Sequence, residues 1–278
     1  DGAPIDHPTG GDLILSIAYQ GGFVPPEFLA SQFPTFVLLG DGTLITQGAV
    51  PAIFPGPILT PLLARTLTEE GIQAVLAEVG ATNLFTGDLE LRGAQNFVAD
   101  ASDTVFTLHA DGREVTINVY ALGVFDPSTQ PPQGMSAAEV AAHQVLVRLM
   151  NRLQQPETWL AADAFADEGW QPYKAEALRL YVRDATADVP DASGIPSQRR
   201  VWPIAGDPAT LGEKDPFFGG GTRCGVVTGA DAAAWLADLG AANQLSRWTG
   251  EGEKLYAVTP RPLLPYEDRS CPELGGGA

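Results

Sequence analysis

Lysine is nearly absent: Lys174, Lys214 and Lys254 are the only three in 278 residues, and basic residues number 16 against 34 acidic ones. The formal net charge of −18 repels phosphate, which argues against nucleic acid and anionic membrane surfaces as partners. Histidine is limited to His7, His109 and His143, and no two of them share a helix face at a metal-ligating spacing. No apolar run approaches the ~18 residues of a membrane-spanning helix. The sequence has neither a Gly-x-Ser-x-Gly elbow nor a Gly-x-x-x-x-Gly-Lys-Ser/Thr loop. The run Gly219, Gly220, Gly221 leads into a strand pattern, not into the helix start that a phosphate cradle requires. The sequence thus points to no catalytic residue, no metal and no cofactor.

Cysteine is as scarce, and here the scarcity is informative. Cys224 and Cys271 are the only thiols, and both lie in the last quarter of the chain, the second seven residues from its end. That placement suits a disulfide that staples the terminal segment, and a disulfide implies an oxidising compartment. The chain begins at Asp1, not at Met, which adds the expectation of a removed leader. Residues 1–11, rich in Gly, Pro and Asp, are expected to form a flexible tether. Together these features predict an extracellular, periplasmic or cell-surface-anchored protein with a protein partner there.

Hydrophobic residues make up 45% of the chain, enough for a sizeable core in one or two bodies. Leu13, Leu15, Ile17 and Tyr19 alternate at the period of a half-buried strand over residues 12–20. Two Asp-Gly dipeptides, Asp41-Gly42 and Asp111-Gly112, sit between apolar runs and signal hairpins. Thr68, followed by Glu69 and Glu70, opens a helix whose apolar face is Ile72, Val75, Leu76 and Val79. Ser136 and Glu139 form a capping box for a second helix, which Pro156 ends. Residues 50–61 should be an ordered but irregular crossing and residues 188–218 a long surface excursion. Further on, residues 175–183, 222–228 and 254–259 read as strands and 230–239 as a helix. That last helix echoes the one after Thr68. The predicted class is α+β: mostly antiparallel sheets, with helices packed on one face and two subdomains. Residues 12–130 form the first and 131–278 the second, which carries the disulfide, with a linker at residues 130–134.

Three groups of residues invite functional readings. Gly21 and Gly22 permit a sharp exit from the first strand, and Phe23, Val24, Pro25 and Pro26 follow as a stiff apolar segment. Such a segment orders at little entropic cost on binding, so it is the candidate partner-binding edge; the alternative is a loop that folds onto its own core through Phe23 and Phe28. Asp163, Asp167 and Glu168 lie near Trp159 and Trp170, a combination used in sugar hydrolysis; the structural alternative is a solvated helix end. Asp88 and Glu90 offer calcium ligands, although no Asp-x-Asp-x-Asp-Gly loop accompanies them.

The order of elements over residues 12–153 resembles emfourins, small bacterial inhibitors of thermolysin-type proteases. The resemblance is carried by Gly21-Gly22-Phe23 after a strand, the first hairpin, the Thr68-Glu69-Glu70 helix, the hairpin over residues 103–112 and the capped helix from Ser136. It implies protease inhibition. The second half, through residues 222–229, 258–265 and Cys271-Pro272, resembles envelope lipoproteins of GC-rich bacteria, which implies location alone. The expected function is a non-catalytic extracellular or cell-envelope binding protein, with protease inhibition as its specific form. The alternatives are a carboxylate-dependent hydrolase of an extracellular polymer and a structural component of a surface assembly.

Overall fold

The computed structural model describes residues 3–96, 98–125, 134–189, 193–215, 218 and 221–272. In chain order its elements are β1 (Leu13–Gln20), α1 (Pro26–Ser31), β2 (Phe36–Leu39), β3 (Thr43–Gln47), β4 (Leu62–Thr66), α2 (Glu69–Gly80) and β5 (Leu89–Leu91). There follow β6 (Asp103–Ala110), β7 (Arg113–Tyr120), α3 (Ala137–Gln154), β8 (Gln171–Pro172), β9 (Ala177–Asp184) and β10 (Gln198–Val201). The chain closes with β11 (Glu213–Lys214), β12 (Arg223–Thr228), α4 (Gly229–Leu239), β13 (Ser246–Thr249) and β14 (Leu255–Pro262). The fold is α+β, with two sheets that are antiparallel at all but one strand pair each.

The chain divides into two compact units, and the division is not a single cut. The first comprises Asp1–Val24, Phe33–Gln47 and Leu62–Tyr173; the second comprises Pro25–Gln32, Gly48–Pro61 and Lys174–Ala278. Of the expected linker at residues 130–134, all but Gly134 lies outside the described residues.

The first unit holds an eight-stranded sheet in the order β5-β7-β6-β1-β2-β3-β4-β8. β1 is central, so Leu13 through Ile17 are buried without interruption, where the sequence pattern had suggested one wet face. The hairpin β6–β7 turns at Asp111 and Gly112, whose φ angles of 51° and 65° are the two positive values a primed turn requires. Thr68 caps α2 by accepting from the Gly71 N–H, and both halves of the Ser136–Glu139 capping box form at α3. Both helices bury their apolar stripes in the same core as Ile14, Phe106 and Ile117. Of residues 1–11, expected to form a flexible tether, Ile5 and Asp6 are instead fastened to this unit. Ile5 exchanges hydrogen bonds with the Gln73 side chain (2.8 and 2.9 Å), and Asp111 N–H donates to the Asp6 carbonyl at 2.8 Å.

The second unit holds a six-stranded sheet in the order β10-β13-β14-β9-β12-β11. One face packs on α4: Leu178, Leu180, Val182, Trp248 and Val258 surround Trp235, which makes edge and tilted contacts with Trp202 and Trp248. The intervening residues of β9, Arg179, Tyr181 and Arg183, face the other way. The short α1 lies on that opposite side, where Ala30 clusters with Tyr181 and Cys224.

Candidate functional site

Cys224 on β12 and Cys271 are joined by a disulfide, with an S–S distance of 1.99 Å and a Cα–Cα distance of 5.9 Å. Two buried arginines on neighbouring strands hold the same C-terminal segment. Arg179 donates to the Ser270 and Asp268 carbonyls at 2.7 and 3.1 Å. Arg261 makes a bidentate pair with Glu267 (2.8 and 2.6 Å) and donates to the Gln32 carbonyl at 2.9 Å. Burial pushes the Tyr181 phenol up, with the Arg179 guanidinium opposing that shift. The disulfide therefore closes a segment that side chains already fasten along its length.

On the same face, Arg183 forms a bidentate pair with Asp188 at 2.7 and 2.8 Å, and Arg247 approaches that carboxylate at 3.6 Å. A cavity of about 450 Å³ opens beside them, lined by Asp188, Arg247, Val189, Ile195, Leu245 and Leu255. This size and mixture of apolar walls with a few charges suit a small ligand or a peptide side chain.

The partner-binding residues expected from sequence divide between the units. Phe23 and Val24 belong to the first: Phe23 is 89% exposed and Val24 half-buried. Gly21 and Gly22 adopt φ angles of 65° and 86°, and Phe23 N–H reaches the Asp100 carbonyl at 3.4 Å. The aromatic ring is thus presented outward from a tied backbone. Pro25 and Pro26 belong to the second unit, both exposed, with Pro26 opening α1. That unit also carries an uncharged loop, Gly48–Pro61, whose Val50, Ile53 and Phe54 are exposed while Gly48 N–H closes its base on the Pro61 carbonyl at 2.7 Å.

Of the carboxylates singled out for hydrolysis, Asp167 is tied into an ion-pair cluster with the neighbouring Glu157, while Asp163 and Glu168 are exposed. Asp167 accepts from Arg65 Nε at 3.1 Å and from the Thr66 N–H at 2.5 Å; Glu157 takes Arg65 Nη1 at 3.1 Å and the Trp170 indole N–H. Arg65 also lies 3.6 Å above the Phe165 ring, so the cluster fastens one edge of the first sheet. Asp88 accepts from the Thr116 N–H at 2.8 Å and Glu90 pairs with Arg92 at 3.0 Å, which makes both local ties. His7 and His109 line a cavity of about 380 Å³ in the first unit. His7 is held there by the Pro8 carbonyl (2.7 Å) and Glu69 (3.2 Å). Among the described residues no group of three or more His, Cys, Asp or Glu side chains converges as a metal site, and no helix is long and apolar enough to cross a membrane.

His143 is buried in α3 at 1% exposure, its ring tilted against Phe125 at 5.7 Å, with no hydrogen-bond partner at Nε2 among the described residues. Burial lowers its pKa from the ordinary 6.5, and Glu139 only partly offsets this. Below about pH 6.5 the unfolded chain takes up a proton that the folded one refuses, so this residue makes stability fall as the pH drops. His143→Leu should flatten that part of the dependence. Urea unfolding at pH 7.5 and 5.5 measures it, and an equal loss in both proteins would contradict the assignment.

Comparison with family models, curated proteins and solved structures finds no match to this chain.

Proposed function

We propose that this chain is a non-catalytic binding protein of an oxidising, extracytoplasmic compartment, and that its partner is another protein. The observation that carries the proposal is Phe23, 89% exposed on a backbone fixed by two left-handed glycines. A large aromatic side chain held in water gains from a partner pocket without first losing much conformational freedom. The disulfide supports the compartment, because such bonds persist where thiols are not continually reduced. Of the three carboxylates behind the hydrolase alternative, Asp167 is held by Arg65 and the Thr66 N–H, which weighs against a pair that includes it.

The test is quantitative recovery of partners from the native medium and envelope by the immobilised protein and by its Phe23→Ala variant. Truncating an aromatic hot spot costs about 2 kcal/mol or more, so the variant should retain the partner roughly thirtyfold less. Its melting temperature should not change, since the ring contributes little burial. Equal recovery by both proteins would end this reading. For the inhibitory form, titration of a thermolysin-type protease should give stoichiometric loss of activity, and undiminished proteolysis at excess would remove it.

A further inference from the structure

β10 is the terminal strand of the second sheet, and its pairing with β13 is parallel, with Gln198 opposite Ser246 and Val201 opposite Thr249. Gln198 N–H donates to the Leu245 carbonyl at 3.2 Å. In a parallel ladder alternate residues turn both backbone groups to the same neighbour, so Gln198 and Arg200 serve β13. Arg199 and Val201 therefore direct their N–H and C=O groups to the open edge. Their side chains lie on the face opposite α4, because Arg200 binds Asp238 of α4 and Gln198 reaches the Ala241 carbonyl just beyond it.

Two exposed side chains accompany this open edge. Val201 is 81% exposed. Arg199 is exposed and has no ion-pair partner among the described residues, on a chain of net charge −18. The strand is short and Arg200 turns its charge toward α4, but no proline blocks the outward donors: Pro196 and Pro203 fall outside the strand, and an apolar side chain stands at its end. The strand itself is rigidly placed by the Arg200–Asp238 pair.

We propose that β10 is a docking edge for an extended acidic peptide segment of a partner protein. The segment would add as a strand beside β10, exchanging backbone hydrogen bonds with Arg199 and Val201. A carboxylate would lie beside Arg199 and an apolar side chain two residues away beside Val201. The Arg199 guanidinium favours a carboxylate beside it over a basic side chain, locally and against the overall charge of −18, and it disfavours a second copy of this edge, which would set arginine against arginine. The proposal uses other residues than Phe23 and goes beyond the reading based on it.

The test is selection from a displayed library of random octapeptides on the immobilised full chain. Enriched sequences should alternate acidic and apolar residues. Arg199→Glu should weaken their binding by about tenfold and shift selection toward basic peptides. Val201→Pro should abolish binding by removing the edge donor, and Phe23→Ala should leave it unchanged. No enrichment over a blank surface, or enriched peptides indifferent to Arg199→Glu, would overturn the proposal. So would peptides lost with Phe23→Ala instead, and that outcome would leave the Phe23 reading standing.

Discussion

Replacing Cys224 and Cys271 together by serine is expected to lower the stability of the second unit by about 4 kcal/mol. The bond spans 47 residues, and restricting a loop of that length removes a large part of the unfolded chain's freedom. In the folded state the terminal segment keeps other ties: Leu263 N–H to the Ala177 carbonyl at 2.9 Å, Arg179 to Ser270 and Asp268, and Arg261 to Glu267. The cost should therefore appear mainly through the unfolded ensemble, with the native segment still in place. Trp202, Trp235 and Trp248 belong to this unit and Trp159 and Trp170 to the first, so three of the five tryptophans report its unfolding by fluorescence. Urea titration of the oxidised protein, of the protein in excess dithiol and of the double variant should give one high midpoint and two coincident low ones. Coincidence of all three would mean that the bond contributes nothing.

The staple was legible because two cysteines permit one intramolecular pairing, and the hairpins because Asp-Gly turns act over a few residues. The capped helices were legible for the same reason: Thr68 with Gly71 and Ser136 with Glu139 are local events. What escaped was non-local. β4, β10 and β13 are short strands whose partners supply most of their definition. β10, with the sequence Gln-Arg-Arg-Val, has no apolar alternation and lies in a Pro- and Gly-rich stretch that looked like surface loop. The role of Asp167 could not be inferred from its neighbours, since Arg65 lies 102 residues away. The arginine face was visible in principle. Leu178, Leu180 and Val182 marked the core side of β9, and the residues between them, Arg179, Tyr181 and Arg183, implied a second face that is charged and yet partly covered. The exposure of Phe23 was not decidable from sequence, because a Phe after two glycines can turn in or out with equal backbone freedom.

Asp238→Ala should be nearly as damaging as loss of the disulfide, by a different physical route. The Asp238 carboxylate takes Arg200 Nε at 3.0 Å from both oxygens and Arg200 Nη2 at 2.5 Å, and Trp248 Nε1 donates to it at 2.7 Å. The side chains of Arg200 and Asp238 are only 14% and 17% exposed, and Trp248 is fully buried. Removing the carboxylate leaves a largely buried guanidinium without its counter-charge and an indole N–H without an acceptor. Breaking one partner of such a pair costs roughly 3–5 kcal/mol, more than the pair itself contributes over an apolar replacement. Two carbonyls, of Asp238 and Ala241, still accept from Arg200 and moderate the loss. Asp238→Asn keeps an acceptor for Trp248 and should cost less than Asp238→Ala. Arg200→Met in the Asp238→Ala background should recover part of the loss, because it removes the stranded charge. Urea unfolding read on tryptophan fluorescence gives the three values. Arg200 is also the residue that pins β10 to α4, so Asp238→Ala should speed amide exchange at Gln198 and Arg200 ahead of the central strand β9. A loss below about 1 kcal/mol, or a double variant no better than Asp238→Ala alone, would show that solvent already screens this pair.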